Sequence, residues 1–196
     1  MVSPRFYSFI WLPFFICCLF SSFAAQALDT EFGTSYTYKK STFDDDNNTE
    51  QQSATGTVSF YFAEKIALEL SYTSGLYVKK EKQPNFAGAF LRTTTQFTDV
   101  YGTDLIYILA DRKATFQPFI KGGVAYVRVK QVVQDDNNNP WEILYSGPSP
   151  SYGVGFKLFI TQAFAFRTSY DVIQTPVNNE TKINDISGRV GISWMF

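Results

Sequence analysis

"GRVGISWMF", residues 188–196, alternates without a break. Val190, Ile192, Trp194 and Phe196 share one face, continued upstream by Ile186. Ser187, Arg189, Gly191 and Ser193 share the other. A period of two is the signature of a β-strand with a single apolar face. The contents of the two faces raise the question of solvent. A soluble sheet turns Trp194 and Phe196 toward a core and Arg189 toward water. A strand that crosses a membrane does the reverse, and its backbone must then be paired within a closed barrel.

The same alternation recurs from residue 28 onward, and no stretch there carries a convincing 3.6-residue period. Strands are expected at about 30–43, 54–62, 66–80, 94–109, 115–133, 145–160 and 164–176, with the opening stretch as the eighth. Strand three shows the pattern clearly: Ile66, Leu68, Leu70 and Tyr72 against Ala67, Glu69, Ser71 and Thr73. In strand four, Ile106 and Ile108 break it by falling on the polar face with Gly102 and Asp104. Connections alternate in length. Ala63-Glu64-Lys65, Asp111–Ala114 and Thr161-Gln162-Ala163 read as tight turns. "DDDNNTEQQS" (44–53), "EKQPNFAGAFLR" (81–92), "DDNNNPWE" (135–142) and "NNETK" (178–182) read as long polar loops. Short turns on one side and long loops on the other are the arrangement of a barrel inserted from one side of a membrane. "YFAEKIALELSY" (61–72) and "FITQAFAFRTSY" (159–170) superpose without gaps, as duplicated hairpins or as one design rule used twice.

Three features turn the apolar face toward lipid. Glycines crowd the polar face at Gly33, Gly75, Gly102, Gly123, Gly153, Gly155 and Gly191. Glycine weakens a solvated strand, but the narrow inside of an eight-stranded barrel needs it. The apolar face is also sorted by height, with tyrosines toward the long loops, Phe and Trp toward the turns, and Val, Leu and Ile between. Two aromatic girdles around an aliphatic belt match the membrane-interface preference of ring side chains. Finally, the polar face carries charges of both signs. Glu31, Glu69, Asp104 and Asp171 stand against Lys121, Lys157, Arg167 and Arg189. The expected fold is all-β: an eight-stranded antiparallel up-and-down transmembrane β-barrel preceded by a cleaved signal peptide.

The signal peptide is read from "FYSFIWLPFFICCLF", which follows Arg5, the one charge before Asp29. Ala25-Gln26-Ala27 supplies an A-x-A cleavage site, so residues 1–27 are expected to be removed and 28–196 to form the barrel domain. Pro13 and the shortness of the run argue against a retained membrane helix. Cys17 and Cys18, the two cysteines, both fall in this segment, and Phe15-Ile16 before Cys17 lacks the small residue of a lipidation site. The chain has no His. No thiol nucleophile, His-based triad, cofactor or metal site is therefore expected, and no enzyme activity; the small outer-membrane enzyme families rely on a catalytic His. Formal net charge is −1, which does not favour nucleic acid.

Residues 28–196 resemble the small outer-membrane β-barrel family of Gram-negative bacteria, the OmpX, opacity-protein and OmpA-transmembrane-domain type. The resemblance is carried by "IALELSYTSG", "QPFIKGGVAYV", "SYGVGFKLFI" and "GRVGISWMF". It implies a bacterial outer-membrane location with loops outside. It also implies that Val190, Ile192, Trp194 and Phe196 form the signal read by the barrel-assembly machinery. The eight lumen charges are expected to form a plug. Surface loops then contact a ligand, and the basic Lys79, Lys80, Lys82 and Arg92 contact lipopolysaccharide phosphates. Asp44–Asp46 and Asp135-Asp136 lack calcium-loop spacing and read as solvated acidic loops. The Asn-x-Thr matches at Asn47 and Asn179 read as polar loop tips. The expected protein is a monomer that acts structurally or through its loops. The alternative is a narrow OmpW-like pore, kept open by the inward glycines.

Overall fold

The computed structural model describes residues 29–42, 48–85, 88–135, 138–176 and 182–196. Ala25, Ala27 and the rest of the expected signal peptide lie outside the described residues, as do Asp44, Asp45, Asp46, Asp136 and Asn179. The described residues form eight strands: β1 (Asp29–Thr42), β2 (Asn48–Ala63), β3 (Ile66–Asn85), β4 (Gly88–Ile108), β5 (Phe116–Asp135), β6 (Asn138–Phe159), β7 (Phe164–Pro176) and β8 (Lys182–Met195). Each pairs antiparallel with the next, and β1 closes on β8 with Phe32 opposite Trp194 and Tyr36 opposite Val190. Phe196 N–H donates to Thr30 O at 2.8 Å, and Met195 N–H to Ala163 O at 2.7 Å. The stretch that ends the chain is thus the closing strand.

Alternation sets the faces as expected. Leu70, Tyr101, Val154 and Ile192 are about half exposed on the outer surface, while Glu69, Asp104, Lys157 and Arg189 are buried. The stagger can be followed around the ladder. From Glu31 it passes to Ser59, Glu69, Asp104, Gly123, Ser151, Ile173 and Asp185. Glu31 itself faces Met195, ten residues down β8 from Asp185. Eight strands enclose a space just wide enough for side chains to fill.

The strand bounds depart from the sequence expectation. The long connections are largely strand: β2 begins at Asn48 rather than 54, β3 continues to Asn85, β4 begins at Gly88, and β6 begins at Asn138. Hairpin pairing satisfies their backbone groups, and residues such as Thr93, Thr94 and Thr95 favour strand even where the side chains are polar. Pro148 and Pro150 lie within β6. Pairing of β6 with β7 begins only at Ser151, so both prolines stand on an edge, where proline is tolerated. Ile106 and Ile108 belong to an apolar layer inside the lumen, with Tyr61, Ala67 and Phe119, near the tight turns.

Two glycines are imposed by close approach. A Cβ at Gly191 would collide with Thr34 O and Ser35 across the β1–β8 seam, and one at Gly123 with Thr103 O and Asp104. A Cβ at Gly56 meets nothing within 4 Å. Gly191→Val is expected to abolish the compact, heat-modifiable band of the folded barrel on cold gel electrophoresis. Gly56→Ala keeps that band and raises stability by about 0.5 kcal/mol in urea titration.

Candidate functional site

The lumen is layered. On the turn side sits the Tyr61–Phe119 layer, sealed below by the β4–β5 turn, where Gln117 Nε2 donates to Arg112 O at 2.6 Å. Arg112 pairs with Asp29 and lies 5.5 Å from the centre of the Tyr61 ring. Above this layer are the charges. Further up, Val100, Ala125, Val127 and Val129 form a second apolar layer, with Ile173 and Tyr145 against it.

All eight charged residues picked from the sequence stand in the middle layer, and the register brings them together. Lys157, fully buried, lies 2.5 Å from Glu31 and donates to the Tyr61 hydroxyl at 2.6 Å; that hydroxyl in turn donates to Glu31. Arg167 donates to Glu69 at 2.6 Å with its guanidinium 4.9 Å from the centre of the Phe119 ring. Lys121 is shared among Asp171 at 2.9 Å, Glu69 at 3.4 Å and Asp104 at 3.7 Å. Arg189 Nε reaches Asp171 at 3.4 Å, an ion pair without hydrogen-bond alignment. Serines complete the carboxylates: Ser59 donates to Glu69, Ser151 to Asp104 and Ser169 to Asp171. Tyr61, Phe119 and these serines were not among the site residues read from the sequence. Strand parity is the signal that finds them, since each lies two or four residues from an inward position on its own strand.

Four cations against four anions leave no net charge in a region closed to water. Unpaired, each ion would cost several kcal/mol to desolvate. The voids within the network measure about 20 and 10 Å³, about one water each. Above Arg189 the barrel opens into a vestibule of about 330 Å³. Its side is notched. The ladder between β1 and β8 ends upward at Tyr36 opposite Val190, and above that Thr37 Oγ1 donates to Gly188 O at 2.9 Å. Among the described residues no group of three or more His, Cys, Asp or Glu is placed to hold a metal.

Outside, Val190, Ile192, Trp194 and Phe196 all face lipid. The Trp194 ring meets those of Phe164 at 6.0 Å and Phe196 at 6.1 Å. The hairpin charges differ from the basic loop expected. Lys79 pairs with Glu81 at 2.5 Å, and Arg92 forms a two-point contact with Asp135. Asp135 is therefore buried and paired instead of solvated. The hydrogen bond from Arg92 to Asp135 holds the guanidinium above its ordinary pKa. Arg128, which the sequence reading passed over, faces outward one step above Tyr126 in the upper girdle, opposite Asp99.

The outer membrane protein beta-barrel domain family matches residues 15–196. No curated protein matches in sequence. Among solved structures, the N-terminal β-barrel domain of OprF from Pseudomonas aeruginosa is 13% identical, with a TM-score of 0.57, over 87% of this chain and 100% of that one. OprG from the same organism is also 13% identical at a TM-score of 0.57, over 87% and 97%. Ail, the attachment invasion locus protein of Yersinia pestis, is 10% identical at 0.50, over 87% and 100%. At such identities the likeness is one of fold. With lipid-facing girdles around a charged lumen and a family match over nearly the whole sequence, the chain belongs to the outer membrane protein beta-barrel domain family and resides in the bacterial outer membrane.

Proposed function

We propose that this protein is a plugged barrel that acts at the cell surface, supporting the envelope or binding a partner, and that it is not a conduit or an enzyme. The observation that carries this reading is the charge network between two apolar layers, which fills the lumen at the level of the membrane. A second observation points to the surface. β3–β6 have 20–22 residues each, about twice the ~9–11 a tilted crossing needs, so they rise as a four-stranded sheet beyond the lipid. That sheet exposes Phe97 and Leu144, in line through Lys130, on its outer face above the upper girdle, while Trp141 stands on the opposite face beside Arg92. Exposed rings and aliphatics on an extramembrane sheet are the material of a binding face. Ail is named for attachment, and attachment is carried over to this chain as a proposal on the strength of this sheet.

The narrow pore remains the second reading because the vestibule of about 330 Å³ would be its outer mouth. Planar-bilayer recording separates the two: the plugged barrel gives silence, and stable unitary currents overturn it. Lys121 neutralises three carboxylates, so Lys121→Met leaves buried charge uncompensated and lowers stability by about 3–5 kcal/mol in urea unfolding. We place lipopolysaccharide phosphates against Arg128, with the barrel-assembly machinery as the folding partner and the monomer as the working state. Arg128→Ala is expected to weaken binding of lipopolysaccharide to the refolded barrel roughly tenfold, with no change in the folded band.

A further inference from the structure

The vestibule above Arg189 is more than an entrance. β2, β3, β4 and β8 reach it at different points along their lengths, because the stagger of the barrel lifts Gln51, Tyr77, Gln96 and Ser187 to a common height. Its floor is closed by Val100, Ile173 and the Arg189–Asp171 pair. The result is a cup with one open end, at the lower limit of the ~300–1,000 Å³ range of ligand pockets.

Its chemistry is specific. Among the described residues, Gln51, Ser53, Tyr77 and Ser187 use none of their side-chain hydrogen-bonding groups within the protein. Gln96 donates to Thr98 at 3.2 Å, which leaves its carbonyl oxygen to accept. Amides and hydroxyls both donate and accept, as the hydroxyls of a sugar do. Tyr77 adds a ring face for the C–H side of a pyranose. Of the two charged lining residues, Arg189 is paired with Asp171 in the floor, and Asp185 lies in the field of both Arg189 and Lys39. With Arg189 held by Asp171, the lining has no uncommitted cation beside Asp185 to take the carboxylate of a zwitterion. A neutral ligand rich in hydroxyl groups fits this lining better than an anion, a cation or a zwitterion.

We infer that the vestibule is a binding cup for a neutral saccharide of one or two rings. Two sources share that chemistry, a soluble glycan and the core sugars of lipopolysaccharide. The inference does not depend on whether the lumen below conducts, since occupancy is read without current. The test is saturation-transfer NMR on the refolded full-length barrel in micelles. The probes are lactose, maltose, core oligosaccharide released from lipopolysaccharide, and alanine as the zwitterion control. Transfer to at least one saccharide and not to alanine is expected, with a Kd of about 1 mM. Transfer to a disaccharide assigns the cup to soluble glycans, and transfer to the core oligosaccharide alone assigns it to the cell's own lipid. A Cβ at Gly75 meets Ser53 Cβ at 3.5 Å and Gln52 O at 3.7 Å, ordinary contacts. Gly75→Trp therefore fills the cup, and Gln51→Leu removes one amide in a milder way. Binding should weaken at least about tenfold in each and persist in Gly56→Ala. Transfer to no saccharide, equal transfer to alanine, or undiminished transfer to both variants overturns the cup.

Discussion

Lipid offers no hydrogen bonds, and this one constraint organises the whole molecule. A β-chain can meet it only by pairing every backbone group inside the bilayer, which forces closure of β1 on β8. Closure with eight strands fixes a narrow interior, and the interior then dictates composition. Where two strands approach most closely, at Gly123 and Gly191, a side chain has no room. Where they do not, the space must be filled, because a void forfeits contacts and a water-filled channel would break the seal. Outer girdles, inner glycines and the charged core are consequences of the same requirement.

The order of the lumen layers follows from electrostatics. Eight ionised groups in a confined space are tolerable only as a network in which each has several partners. Lys121 is the junction, touching carboxylates from β3, β4 and β7, while Lys157 and Arg167 lie opposite each other on β6 and β7. Those two neighbouring cations would repel if Glu31 and Glu69 did not reach across from β1 and β3. Apolar layers above and below keep water from competing for these contacts. A network whose charges come from seven strands also fixes register, since sliding any of them by one residue would send its charge to the lipid face.

Much of this was legible in the sequence because membrane and lumen impose opposite demands on alternate residues. Parity alone sends Glu31, Asp104 or Arg189 inward, and the ladder brings them within reach of partners. The constraint ends where the lipid ends, and there the reading failed. Thr49, Glu81, Arg92 and Asn138 pair in hairpins although nothing in their polarity distinguishes strand from loop. Ile106 and Ile108 looked like interruptions, because an apolar layer inside a polar lumen breaks the very alternation used to find it. The vestibule could not be seen at all. It joins Gln51, Gln96 and Ser187, whose shared height depends on stagger accumulated around the barrel.

The barrel wall is uneven, and the unevenness assigns its two outer features different roles. β3–β6 stay paired far above the girdle, with Lys82 opposite Leu91 and Val133 opposite Trp141. β8 leaves β1 above Val190, and β7 leaves β6 above Ile173. The described parts of β7 and β8 are thus shorter than β3–β6, with the vestibule beside them. A rigid sheet is suited to present Phe97 and Leu144 to something large, since its backbone is ordered before contact and little conformational entropy is lost on binding. Because the Arg189–Asp171 pair stands in the floor, a molecule entering the vestibule meets the ion network directly, which is the feature the proposed plug and the proposed cup share.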